Sequence, residues 1–224
     1  DGRGVLLTSG VTVVDKKHGL HHVDYYQQML GQLGIVGSEQ HLCLELTVGE
    51  KNWAAARLGS GPWVAVNPGA SYGAAKRWLP ERFAAVADGL IEAYGARVVL
   101  TGGPGEADIG RDIEAAMKSP ALNLIGRTSV RELMATLAHC RLVVTNDSGP
   151  MHIAAAFGVP IVAVFGATDH TTTSPHADSC RIVRVPIDCA PCMLRQCPVD
   201  HRCMTGVTSG MVLAAARELW EGVQ

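Results

Sequence analysis

Apolar positions follow two alternating rhythms along most of this chain. Short continuous apolar runs are separated by longer stretches in which apolar side chains recur every three or four residues. The runs at 63–67 (Trp-Val-Ala-Val-Asn), 97–101, 141–145 and 160–165 read as strands buried on both faces, with shorter candidates at 122–125 and 181–185. Between them lie helical patterns. Pro80 opens one in which Phe83, Val86, Ala87, Leu90, Ile91 and Tyr94 share a face, and Gly95 closes it. Others span 106–117, 150–157 and 208–220, and Ser129 is placed to cap a helix running to His139. Strands alternating with helices predict an α/β fold, a Rossmann-like parallel sheet with helices on both faces.

The first quarter is less regular. Val5-Leu6-Leu7-Thr8 reads as a short buried strand, and residues 20–33 as a helix stopped by Gly34. Residues 42–46 alternate weakly, and 50–58 have helical composition. Gly59-Ser60-Gly61-Pro62 then interrupts every pattern, which marks a boundary between residues 1–58 and a domain over 63–224.

Bulk properties narrow the chemistry. Of 224 residues, 47% are hydrophobic and 18% charged, as in an ordered α/β core. The formal charge of −2 gives no general reason to bind nucleic acid, leaving only a local basic patch at Arg181, Arg184, Arg195 and Arg202 to consider. No apolar run is long enough to span a bilayer. The first residues lack a secretory signal pattern, and the seven cysteines are odd in number, so a reducing, cytoplasmic setting is expected.

In an open parallel sheet, ligands bind beyond the carboxyl ends of the strands, and three loops there are unusual. Thr145-Asn146-Asp147-Ser148-Gly149-Pro150-Met151-His152 runs from a strand end into a helix. The Ser148 and Gly149 amides at that helix mouth suit an anion such as a diphosphate. Asp147 would repel the anion and so faces sugar hydroxyls, while His152, one turn on, is within reach of a phosphate. The alternative is an ordinary cap by Asp147 or Ser148 beside a packed histidine. The second loop, 67–80, has Gly69 and Gly73 for close backbone approach and Lys76 as a point charge for phosphate. In the third, Thr101-Gly102-Gly103-Pro104-Gly105-Glu106, the spacing matches neither a dinucleotide fingerprint nor a P-loop. Glu106 there either accepts from a ribose hydroxyl or favours the helix start.

Together, PGASYGAAKRWLP, TGGPGEAD, LIGRTSVREL and VVTNDSGPMHIAAAFGVPIVAVFGATD resemble the donor domain of the lipopolysaccharide heptosyltransferases, glycosyltransferase family nine, with the two-domain GT-B architecture. The tail CAPCMLRQCPVDHRCM is similar to the heptosyltransferase II subgroup. The resemblance is strong over 63–220 and looser over 1–58, the end of the family's N-terminal acceptor domain. It implies an ADP-heptose donor, a lipid A–Kdo or heptosylated core acceptor, and contact with the inner face of the inner membrane. It places Lys76 on diphosphate or sugar, the Ser148 and Gly149 amides and His152 on phosphate, and Asp147 on the heptose. Glu106 and the Gly126-Arg127-Thr128 turn, with Thr128, fall beside the nucleoside. The reaction implied is an inverting direct displacement needing no cofactor and no metal.

One departure follows from the same resemblance. The family's general base is an aspartate in a glycine-containing loop early in the N-terminal domain, and no motif here matches it; Asp15 and Asp24 are not substitutes. No catalytic residue is therefore assigned, and this polypeptide is expected to bind donor without transferring sugar alone. Two further readings stand beside this one, a non-catalytic nucleotide-sugar-binding module and a family nine transferase using another nucleotide sugar. Cys189, Cys192, Cys197 and Cys203, with His201 near, fit either a metal site or a cluster of local thiols.

Overall fold

The computed structural model describes residues 2–11, 19–37 and 42–222. At its centre is a six-stranded sheet: β1 (Trp63–Asn67), β2 (Arg97–Leu100), β3 (Leu122–Asn123), β4 (Leu142–Asn146), β5 (Ile161–Val164) and β6 (Cys180–Val183). All pairings are parallel, in the order β3-β2-β1-β4-β5-β6. Each apolar run expected as a strand after residue 62 becomes one.

The alternation along each strand sorts side chains onto two cores. Val64 and Val66 of β1, Val98 and Leu100 of β2, and Leu142 and Val144 of β4 pack on one face. There they meet α3 (Pro80–Tyr94), α4 (Ala107–Ala116) and α9 (Ser209–Gly222) through Phe83, Leu90, Ile113 and Trp220. Trp63, Ala65, Val99 and Val143 pack on the opposite face. That face is covered by α2 (Val48–Leu58), α5 (Val130–His139) and α6 (Gly149–Ala156), through Leu58, Leu137, Met151 and Ala154. A strand buried on both faces has no polar side, which explains the unbroken apolar runs.

Local signals set the helix limits. Pro80 is the first residue of α3, and Gly95 ends it in the left-handed conformation, φ 61°. Reciprocal capping boxes start α2 (Thr47 with Glu50) and α5 (Ser129 with Glu132). α1 (His22–Gly31) falls inside the expected 20–33 stretch, and Gly34 follows it at φ 76°. Two short helices, α7 (His170–Thr173) and α8 (Arg202–Thr205), carry no periodic pattern in the sequence.

The expected strand at Val5–Thr8 is a correction. Residues Gly2–Leu6 form a 3-10 turn, with Val5 89% and Leu6 82% exposed. Three apolar residues and a threonine do not make a strand without a partner ladder, and among the described residues none pairs with them. Residues 42–46 form no regular element. Residues Gly59–Pro62 form no regular element, and α2 before them packs on the sheet: Leu58 is in the core, and Arg131 of α5 grips Glu50 at 2.5 Å.

The chain lays down β1, β2 and β3 in one direction, then returns to place β4 on the other side of β1. Connections leaving β1 and β4 therefore diverge, and a crevice opens where they part.

Candidate functional site

A cavity of about 410 Å³ occupies that crevice, at the carboxyl ends of β1, β2 and β4. Lys76, Glu106, Thr128, Asp147, Ser148 and Gly149 all line it, brought together from four separate loops. His152, the seventh candidate, does not.

Lys76 ends a 3-10 turn, Ala74–Lys76, in the loop between β1 and α3. Asn146, the last residue of β4, pins both ends of that loop. Its side-chain oxygen accepts from the Trp78 amide at 3.0 Å, and its amide nitrogen donates to the Pro68 carbonyl at 2.6 Å. Trp78 is itself buried, donating from Nε1 to Val207 O at 2.9 Å. With its loop so fixed, Lys76 Nζ meets Asp147 Oδ2 at 2.7 Å, the side chains only 12% and 5% exposed. The Thr168 hydroxyl, beyond β5, donates to the same Oδ2. A pair this desolvated is costly to break from one side, because the remaining charge is left uncompensated.

Asp147 leads into α6. Ser148 is the N-cap position, but neither it nor Asp147 caps the helix with its side chain. The Ser148 hydroxyl is instead turned toward the sheet, accepting from Asn67 Nδ2 at 3.1 Å and lying 3.3 Å from Thr145 Oγ1. Of the ordinary-cap alternative, the side-chain cap is not made, while the histidine it expected to pack is half-buried outside the cavity. Among the described residues no backbone carbonyl takes up the Ser148 or Gly149 N–H, and Pro150 brings none. This leaves an uncapped helix end bordering the cavity, where the helix dipole favours negative charge.

Across β1, the Glu106 carboxylate sits in a slot made by missing side chains. A Cβ on Gly69 would lie 2.0 Å from it, and one on Gly102 2.7 Å from it. Glu106 Oε2 accepts from the Gly103 amide at 2.8 Å. Thr128 stands beside it, just before the Ser129 cap of α5, with Val130 and Leu133 adding an apolar wall.

His152 is half-buried on α6. Burial pushes its pKa below the ordinary value; Asp147 opposes this, while His21, Lys76 and His22 reinforce it. The imidazole thus feels the ion pair without bordering the cavity. His21, whose Nε2 donates to Ser174 O at 2.8 Å, was not singled out from sequence, nor were Asn67, Asn146 and Thr168. Asn67 and Asn146 did carry a signal, since each ends a largely apolar strand.

Three of the four arginines considered as a patch are dispersed into separate contacts. Arg181 pairs with Glu218, Arg202 with Asp200, and Arg195 lies over the Tyr72 ring. Asp24 lies in the first turn of α1 and does not line the cavity, and Asp15 lies outside the described residues. All seven cysteines are free. Among the described residues no three His, Cys, Asp or Glu side chains are grouped to hold a metal ion. No helix there is long and apolar enough to cross a membrane.

The family model for glycosyltransferase family 9 (heptosyltransferase) matches residues 1–202. Lipooligosaccharide heptosyltransferase 2 of Campylobacter jejuni is 36% identical over 159 residues, 69% of this chain and 50% of that protein. Among solved structures, the ADP-heptose lps heptosyltransferase II of E. coli is 30% identical with a TM-score of 0.69, over 80% of this chain and 54% of that one. The glycosyl transferase family 9 structure from Veillonella parvula is 26% identical with a TM-score of 0.80, over 94% and 63%. The chain spans about half the length of the curated relatives it matches.

Proposed function

The chain belongs to glycosyltransferase family 9, the heptosyltransferases, and from that premise we propose that its cavity binds the nucleotide-sugar donor ADP-heptose for transfer to the lipopolysaccharide inner core. In this reading residues 63–224 are the donor-binding domain of a GT-B enzyme, and residues 1–58 close an acceptor-binding domain. The acceptor is lipid A–Kdo or a heptosylated core, met at the inner face of the inner membrane.

One observation carries the reading: a buried Lys76–Asp147 pair standing beside the uncapped mouth of α6. A diphosphate set there receives the Ser148 and Gly149 amides and the Lys76 ammonium together. Asp147, acceptor-only when ionised, is held by Thr168 and Lys76 through one oxygen, and its other oxygen takes hydroxyls of the attached sugar. Glu106, across β1, accepts from the ribose, with Thr128 near and Val130 and Leu133 along the base. In an inverting displacement the bond from the sugar's anomeric carbon to the diphosphate oxygen breaks as the acceptor oxygen bonds from the opposite face. Negative charge grows on the departing ADP, and the lysine and helix amides are already oriented toward it, which lowers the barrier without reorganisation.

Calorimetric titration tests this. ADP-heptose is expected to bind at least tenfold more tightly than UDP- or GDP-sugars, and Asp147→Asn to reduce the advantage of ADP-heptose over ADP. Equal binding of all three nucleotide sugars would overturn the donor assignment.

A further inference from the structure

The cysteine-rich segment is the one sequence motif that the donor site does not absorb. Residues 187–203 leave the sheet after β6 and fold back against the loop carrying Lys76. Both sides of the Ala75 backbone, one residue before Lys76, are taken by this segment. The Ala75 amide donates to Arg195 O at 3.0 Å, and His201 Nε2 donates to Ala75 O at 2.9 Å. Tyr72 OH donates to Met193 O at 2.8 Å, and the Arg195 guanidinium lies 5.2 Å from the Tyr72 ring centre. The approach is as close as backbone allows, since a Cβ on Gly73 would sit 2.2 Å from Arg195 O.

The segment also reaches the other half of the ion pair. Met193 N donates to Ala167 O at 2.7 Å, and the next residue, Thr168, holds Asp147. His201 adopts the left-handed conformation, φ 56°, uncommon for a residue with a side chain, and its own amide donates to Cys197 Sγ at 3.3 Å. Cys189, Cys192, Cys197 and Cys203 surround a small apolar cavity shared with Ala75, Ala167 and His201. Burial and the neighbouring cysteines push the Cys203 thiol up, so that sulfur packs as a neutral, adaptable apolar group.

We propose that residues 187–203 are a positioning strap for the phosphate-binding lysine, with His201 the positioning residue that fixes the Ala75 peptide and hence Lys76 against Asp147. The proposal rests on the donor-site reading above. The strap touches no substrate; it acts by removing freedom from the loop, so that Lys76 is in place before ADP arrives.

The test uses the whole chain with ADP as ligand and four variants: Lys76→Ala, His201→Ala, His201→Gln and the Lys76→Ala/His201→Ala double. His201→Ala is expected to weaken ADP binding about three- to tenfold, the range for loss of one neutral hydrogen bond. His201→Gln, which can donate to the Ala75 carbonyl, restores part of it. In the Lys76→Ala background, His201→Ala should add almost nothing, because a residue acting only through Lys76 has nothing left to act on. Additive losses would show a general structural role and overturn the proposal. Amide exchange without ligand gives an independent reading. His201→Ala should speed exchange at Ala75 and Lys76 while leaving 64–66 in β1 unchanged. Unchanged exchange at Ala75, or uniform acceleration everywhere, overturns the strap. If Lys76→Ala leaves ADP affinity untouched, the donor-site reading falls, and the exchange data alone decide whether the strap holds the loop.

Discussion

At the scale of single residues, the site is made as much by absent atoms as by present ones. Gly69 and Gly102 leave the space that the Glu106 carboxylate fills, and a Cβ at either position would displace it. Gly69→Ala should therefore push Glu106 out of reach of a ribose while leaving the Lys76 end intact. The expected outcome is ADP binding weakened about tenfold or more, the scale of a hydrogen bond to a charged group, with inorganic pyrophosphate unaffected. Competitive titration of the two ligands checks it, and equal losses would place Glu106 elsewhere in the site's work. Sequence reasoning found Glu106 and Lys76 because charged residues in glycine-rich loops at strand ends are few. It passed over Asn146 and Thr168 because their value lies in what they touch: a loop 68 residues earlier for Asn146, and Asp147 for Thr168.

At the scale of elements, α5 links the site to the first part of the chain. Its N-terminus supplies the Thr128–Leu133 edge of the cavity, and its Arg131 grips Glu50 of α2 with Nε and Nη2 while donating to Glu45 O. The Arg131 hydrogen bonds, with the Thr47 amide, lower the Glu50 carboxyl from 4.5 to about 2. A carboxylate with a depressed folded pKa favours the folded state above its ordinary value and loses that contribution as pH falls from about 4.5 toward 2. In Arg131→Ala the Glu50 titration, followed by NMR, should move back toward 4.5, and α2 amides should exchange faster while α3 amides hold. An unmoved Glu50 midpoint would mean that the capping box alone sets it. The Ser129 cap of α5 was legible in the sequence, whereas the Thr47–Glu50 box of α2 is a finding of the structure. The salt bridge between α2 and α5 was not legible, since no local pattern relates residues 81 positions apart.

At the scale of the whole molecule, the cavity joins loops from β1, β2, β4 and the start of α5, so a nucleotide held there bridges both sides of the switch point. Ligand binding only to the folded state should raise its stability by about 2.7 kcal/mol at a hundred times Kd, which for a chain of this size moves the melting temperature by about 5–10 °C. Thermal scans with ADP against UDP and GDP measure this directly. Equal shifts for all three would argue that the base is not read.

By itself the sequence determined the fold class and the positions of the strands after residue 62, because a strand buried on two faces must be apolar throughout and its helices must show one apolar stripe. It also marked the loops that come together around the cavity, since charge, glycine and a helix start are local properties. Only the tertiary structure decided that Lys76 and Asp147 form one buried pair, that α6 opens without a side-chain cap, and that the cysteine-rich segment lies behind Lys76. It also decided that Val5–Thr8 is no strand. Each of these depends on contacts between residues far apart in the chain, and such contacts are chosen by packing of the whole rather than by any pattern within a segment.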